Sequence, residues 1–267
     1  MHNFWLLLRY QGIALRGTDD LSLPRQIVEA GLTILDMDRL QAAPLRRDPF
    51  DFVVVEDFVS RNELASVIAD FPVIRAPGSF PAVALKYGPA FRCLLEALTG
   101  PALRDAIERK FAIDLAGRPT MVTIRGKSDG KDGRIHTDSP SKIVTLLLYL
   151  NPKWEPAEGR LRLLRGPEDI ADFVCEVAPI AGTMLAFRRS DRSFHGHCPH
   201  VGERRVLQLN WMTEPAVVGR ELSRHYWAAR LKALNPFAEW WSWRNSRAQL
   251  PCCAGEMRVA RADRERR

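Results

Sequence analysis

From Thr120 to Trp211 the chain is a series of short apolar runs cut by glycine and proline, with no helix-length periodic stretch between them. Met121–Arg125, Ile143–Leu150, Arg160–Leu164, Phe173–Val177, Thr183–Phe187 and Arg205–Trp211 read as strands. Parallel strands need a crossover of a dozen or more residues, usually a helix, and no helix-length periodic run separates these strands. A parallel sheet is therefore not expected. An antiparallel barrel or jelly roll is the natural packing, in a mainly β (α+β) chain.

Helices are expected outside that region. Phe50–Phe58 alternates as a strand, and Ser60-Arg61-Asn62-Glu63 has the form of a capping box opening a helix that Pro72 closes. Phe91, Leu94, Leu95 and Leu98 form one helical stripe ending at Gly100, and Leu103, Ala106, Ile107 and Phe111 form the next. Glu221–Asn235 reads as a further helix, and Trp240-Trp241-Ser242-Trp243 beyond it must bury against something. The organisation expected is a poorly defined extension over 1–47, in which Ile27–Leu40 has room for a short helix and strand. A domain over 48–215, a helical extension over 216–250 and a basic, disordered tail over 251–267 follow.

The net charge of +7 invites a nucleic-acid reading, but five arginines fall in the last ten residues, and a charge run is usually solvated. Nucleic acid is not expected as a partner. No window supplies the ~18 apolar residues of a membrane span. The five cysteines, Cys93, Cys175, Cys198, Cys252 and Cys253, lack scaffold spacing, so a reduced, cytoplasmic chain is expected.

The chemistry concentrates in three residues. His136 and Asp138 are two apart just before the run Ile143–Leu150, and in an extended chain such side chains share a face. His195, after another apolar stretch, supplies a second imidazole, with His197 and His200 as competitors for that place. Two imidazoles and one carboxylate on one face of an octahedral ion leave positions open for reaction. Downstream, Gly202-Glu203-Arg204-Arg205 opens the last strand with arginines.

The whole pattern resembles the 2-oxoglutarate and Fe(II)-dependent dioxygenases, in particular their prolyl-4-hydroxylase-like branch. Tyr149-Leu150-Asn151 with Trp154, and Gly159 leading into Arg160-Leu161-Arg162-Leu163, resemble further elements of that family. The resemblance implies a double-stranded β-helix (jelly roll) holding Fe(II) on His136, Asp138 and His195. It also implies an arginine about ten residues past the distal histidine, and six before an aromatic, gripping the far carboxylate of 2-oxoglutarate. Arg205 meets both spacings. Strand alternation then puts Arg205 on the interior face with Leu207, Leu209 and Trp211, and Arg204 outside. Thr145 and Arg125 are expected to add hydrogen bonds to the co-substrate. Tyrosines frequent in the branch are replaced by Leu148 and Arg125. Asp138, which halogenating relatives lack, favours hydroxylation.

The implied activity is hydroxylation of a C–H bond in a protein prolyl residue or a small molecule, with 2-oxoglutarate converted to succinate and CO2, and ascorbate as a supporting reductant. Trp154, Arg160 and Arg162 either line the substrate mouth or pair with structural acids. The competing class is a cupin-like metal-binding barrel, an isomerase or sugar-binding module, which does not require the arginine. Oligomeric state is open.

Overall fold

The computed structural model describes residues 34–220. The expected helix over Glu221–Asn235, the tryptophan cluster, the basic tail and the first 33 residues lie outside the described residues. Residues 34–47, set apart as an extension in the sequence reading, pack with the domain. Helix α1, Met37–Ala42, is capped by Asp36, whose carboxylate accepts from the Arg39 N–H at 2.9 Å, and it buries Leu40 completely.

Helix α2 spans Arg61–Ala69. Ser60 is its N-cap, but the Ser60 side chain makes no capping hydrogen bond, so the expected capping box does not form. Helices α3, Pro89–Thr99, and α4, Pro101–Phe111, follow as anticipated. Each starts on proline, where the missing N–H would have had no intrahelical partner anyway. Their apolar stripes, Phe91, Leu94, Leu95 and Leu98 and then Leu103, Ala106, Ile107 and Phe111, are buried.

Among the described residues, nine strands build two antiparallel sheets. They are β1 Phe52–Val55, β2 Phe80–Pro81, β3 Thr120–Ser128, β4 Lys142–Tyr149, β5 Leu161–Leu164, β6 Phe173–Val177, β7 Met184–Arg188, β8 His195–Gly196 and β9 Gly202–Met212. The larger sheet has the order β1-β7-β4-β9-β3-β2 and the smaller one β6-β5-β8. A bridge between His136 and His195 adds the His136 segment to the free edge of the smaller sheet.

Two apolar layers follow from strand alternation. Val53, Val55, Leu146, Leu148, Met184, Ala186, Leu207, Leu209 and Trp211 face the helices in one core. Phe52, Leu147, Tyr149, Leu185, Phe187 and Val206 face β5 and β6 across the barrel in the other. Strand β4 is covered on both faces, which is why it reads as an unbroken apolar run rather than an alternation.

Asn151 fixes the start of β9. Its side-chain carbonyl accepts from the Arg205 N–H at 2.7 Å, and its amide donates to the Pro179 carbonyl at 2.6 Å and the Arg205 carbonyl at 3.2 Å. With Leu150 N–H also on the Arg205 carbonyl, the register that decides which arginine faces inward is set here. Truncating Asn151 to alanine strands buried backbone groups, each costing ~1–3 kcal/mol. The variant is expected to unfold at clearly lower denaturant concentration, with an unchanged slope in a urea titration.

Candidate metal centre and anion clamp

The structure brings His136, Asp138 and His195 together, with one potential ligand atom from each lying within 4.8 Å of the others. The edge bridge between the two histidine segments does this: His136 N–H donates to the His195 carbonyl and His195 N–H to the His136 carbonyl, both at 3.0 Å. The rings lie 4.3 Å apart, and His195 also packs on Phe187 at 4.8 Å. Nδ1 of His136 is 2.8 Å from the Arg134 carbonyl, and Nδ1 of His195 is 2.9 Å from the Ser193 carbonyl. A carbonyl only accepts, so each Nδ1 carries the proton and each Nε2 keeps its lone pair for a metal. His197, the competitor, is not in the group; its Nδ1 is on the Cys198 carbonyl.

The carboxylate is oriented from both sides. Thr145 donates its hydroxyl to Asp138 Oδ2, and Asn210 in turn donates to the Thr145 oxygen at 2.8 Å. Lys142 places its ammonium 2.6 Å from Asp138 Oδ1. Desolvation acts to raise the Asp138 pKa; the Lys142 charge and the Lys142 and Thr145 hydrogen bonds outweigh it and hold the group below its ordinary value. Thr145 was expected on the co-substrate; it is instead committed to the metal-site carboxylate, because β4 alternation points it at Asp138. Arg125 is likewise committed elsewhere, ion-paired to Asp132 and reaching the Ser79 hydroxyl at 3.3 Å.

The two arginines face the opposite way from that expected. Leu207, Leu209 and Trp211 do share a face with Arg205, but that face packs on the helices rather than lining the barrel. Arg205 ion-pairs with Glu203 and lies over the Phe71 ring at 5.2 Å, its side chain about a quarter exposed. Arg204 is the inward residue, 5% exposed, with its guanidinium 5.6 Å from the centre of the Tyr149 ring. Its Nε donates to the Gly159 carbonyl at 3.0 Å. Gly159 can offer that carbonyl because it adopts φ +75° under Trp154, where a Cβ would sit 2.7 Å from the indole.

Among the described residues no carboxylate lies within ion-pair distance of Arg204. Burial lowers its pKa, with Arg125 adding to that, while Tyr149 and Asp132 oppose it. The Tyr149 hydroxyl beside it is fully buried and has no hydrogen-bond partner of good geometry among the described residues. A buried cation without an acid and an orphaned hydroxyl are each costly, and one anion between them satisfies both. Sequence reasoning quoted Tyr149 without giving it a role and sent Arg204 outward. The available signal was the polar series Arg204, Gln208 and Asn210, which alternates with the apolar one and marks the face that sees a polar interior.

Arg162 pairs with Glu176 at 2.7 Å and Arg160 with the same acid at 3.6 Å, so both serve the smaller sheet. Cys198 is disulfide-bonded, contrary to the expectation of a reduced chain; an odd set of scattered cysteines carries no pairing signal.

His195 and His197 are both neutral in the fold. Burial, with help from His136, lowers the first to about 4; burial, with help from Arg204, lowers the second to about 3. Unfolded histidine titrates near ~6.5. Between that value and about 4 the unfolded chain binds protons that the folded chain does not, so stability rises with pH across this window and is lost as pH falls through it. The urea midpoint of metal-free protein is expected to drop steadily from pH 7 to pH 4.5; a flat midpoint would contradict the neutral burial of these rings.

The fold is a barrel of two antiparallel sheets carrying two histidines and one carboxylate grouped closely enough to hold a metal ion. Residues 122–213, which contain all of these groups, match the family model of the 2OG-Fe(II) oxygenase superfamily. No curated protein matches the chain. Among solved structures, a prolyl-4-hydroxylase from Pseudomonas putida is similar at 21% identity and TM-score 0.44, over 67% of this chain and 93% of that one. A prolyl 4-hydroxylase from Phytophthora capsici is similar at 19% identity and TM-score 0.46, over 76% and 77%. A viral collagen prolyl hydroxylase from Paramecium Bursaria Chlorella virus-1 is similar at 16% identity and TM-score 0.45, over 61% and 96%. Among the described residues, no helix is long and apolar enough to cross a membrane.

Proposed function

We propose that this chain is a 2-oxoglutarate- and Fe(II)-dependent oxygenase that hydroxylates a C–H bond of a small-molecule or protein substrate. The observation that carries the reading is Arg204 beside the orphaned Tyr149 hydroxyl, facing the same interior as the histidine–aspartate set. The donor set fits ferrous iron: two imidazoles and one carboxylate, which would leave coordination sites open. Iron bound there supplies the activation of dioxygen, coupled to conversion of 2-oxoglutarate to succinate and CO2.

The chain's own part is positioning. The Arg134 and Ser193 carbonyls fix the histidine tautomers, and Thr145 with Asn210 fixes the carboxylate. Arg204 would hold the far carboxylate of 2-oxoglutarate, and Tyr149 would donate its hydroxyl to the same group. The apolar ring of Phe52, Leu147, Leu185, Phe187 and Val206 excludes water from the space between the sheets. Ascorbate serves as the external reductant.

Incubation with Fe(II), ascorbate, air and 2-oxoglutarate, followed by NMR, tests the reading. Succinate is expected to form, and to require both iron and oxygen. A protein that binds iron yet leaves 2-oxoglutarate intact under every substrate tried would favour the cupin-like alternative.

A further inference from the structure

Beside the metal ligands the barrel opens into a cavity of about 230 Å3, lined on one side by His136 and Asp138 and on the other by Met121, Thr123, Gln208 and Met212. Resting on the oxygenase reading above, we propose that this cavity takes a small primary substrate bearing a carboxylate, and that Lys142 is the cation that holds it.

Lys142 lines the cavity, its side chain 14% exposed, and its only acidic partner among the described residues is Asp138. That carboxylate is claimed twice: Thr145 donates to one oxygen, and the Lys142 ammonium takes the other. A divalent ion on His136 and His195 would draw on the same carboxylate, both of whose oxygens already carry a donor. Holding a dication and an ammonium on one carboxylate is repulsive, and a lysine on a flexible four-carbon stem is the group able to move. It swings into the cavity it already lines. There its charge sits partly desolvated, a position that an anionic ligand satisfies.

Charge points the same way. A ferrous ion, the Asp138 carboxylate, the 2-oxoglutarate dianion, Arg204 and Lys142 together leave one unit of positive charge, while Arg125 and Asp132 cancel each other. A monoanion in the cavity closes that balance. The remaining wall suits a small polar molecule with an aliphatic part. Ser139 and Ser141, joined at 2.8 Å, and Gln208 offer hydrogen bonds, and Met121 and Met212 supply apolar contact. The volume is below the ~300 Å3 at which drug-sized sites begin. Apart from His136 no aromatic ring lines it, so nothing there stacks on a peptide's ring or backbone.

The test uses the full chain loaded with Mn(II) and 2-oxoglutarate, so that binding is read without turnover. Free L-amino acids and hydroxy acids, each paired with its primary amide, are titrated by calorimetry into wild type, Lys142→Gln and Lys142→Arg. At least one acid is expected to bind while its amide does not. Lys142→Gln should weaken that acid by tenfold or more, and Lys142→Arg by much less. Equal binding of acids and amides, binding of neither, or an unaltered affinity in Lys142→Gln overturns the proposal. The metal and 2-oxoglutarate titrations of wild type separate the two levels. Uptake of both with indifference to the panel overturns the substrate class alone; uptake of neither overturns the oxygenase reading with it.

Discussion

Alanine at Asp138 or at His195 is expected to strip the protein of its metal and abolish 2-oxoglutarate turnover, whereas alanine at His197 leaves both in place. The three positions differ in what their side chains meet. Asp138 and His195 converge with His136 on one point, and each is held there by partners that serve orientation alone: Thr145 and Asn210 for the acid, the Ser193 carbonyl for the imidazole. His197 is turned away. Its ring packs against Gly133, whose φ of +94° and missing Cβ make room for it; a Cβ there would come within 2.5 Å of the His197 Nδ1. Losing that ring costs packing, not ligation. Metal content per chain after dialysis against Fe(II) or Mn(II), with circular dichroism to verify the fold, checks all three. Metal retained by the Asp138 and His195 variants, or lost by the His197 variant, would move the ligand set.

The second large effect is at Arg204. Its guanidinium is buried, and removing one partner of a buried charge pair costs ~3–5 kcal/mol. The 2-oxoglutarate requirement of Arg204→Ala is therefore expected to rise by a factor of hundreds or more. Tyr149→Phe removes one hydrogen bond to a charged group, ~1.5–3 kcal/mol, and should weaken the co-substrate by about ten- to a hundredfold. Arg205→Ala should be nearly silent, since its ion pair with the exposed Glu203 is worth ~0–1 kcal/mol. Half-saturating 2-oxoglutarate, measured for the three variants at fixed Fe(II) and ascorbate, ranks them. An Arg205 effect equal to that of Arg204 would mean that the inward face of β9 has been misread.

That ranking inverts the one expected from spacing, and the reason is instructive. The strand runs were legible because glycine and proline punctuate them and no helical period intervenes. The two stripes of α3 and α4 were legible because four apolar residues at helical spacing have one burial solution. The grouping of His136 with Asp138 was legible because two-residue spacing next to a strand puts both side chains on one face. The pairing of Arg205 with Leu207, Leu209 and Trp211 was also sound. What alternation does not say is which side of a sheet is the barrel and which is the helix layer, since both sides of β4 and β9 are covered. An apolar face looked like a pocket wall and is a helix-packing face. The hydrogen bonds of Thr145 and Arg125 were not legible for a related reason: their partners, Asp138 and Asp132, are seven residues away in sequence, and only the folded loops bring them into contact.

A crystal structure of the protein grown with Mn(II) and 2-oxoglutarate under nitrogen tests the central claim most directly. The account predicts a metal on His136, Asp138 and His195, and the far carboxylate of 2-oxoglutarate between the Arg204 guanidinium and the Tyr149 hydroxyl, with Arg205 still on Glu203 outside the barrel. A carboxylate on Arg205, or a metal site without 2-oxoglutarate in the barrel, would contradict it.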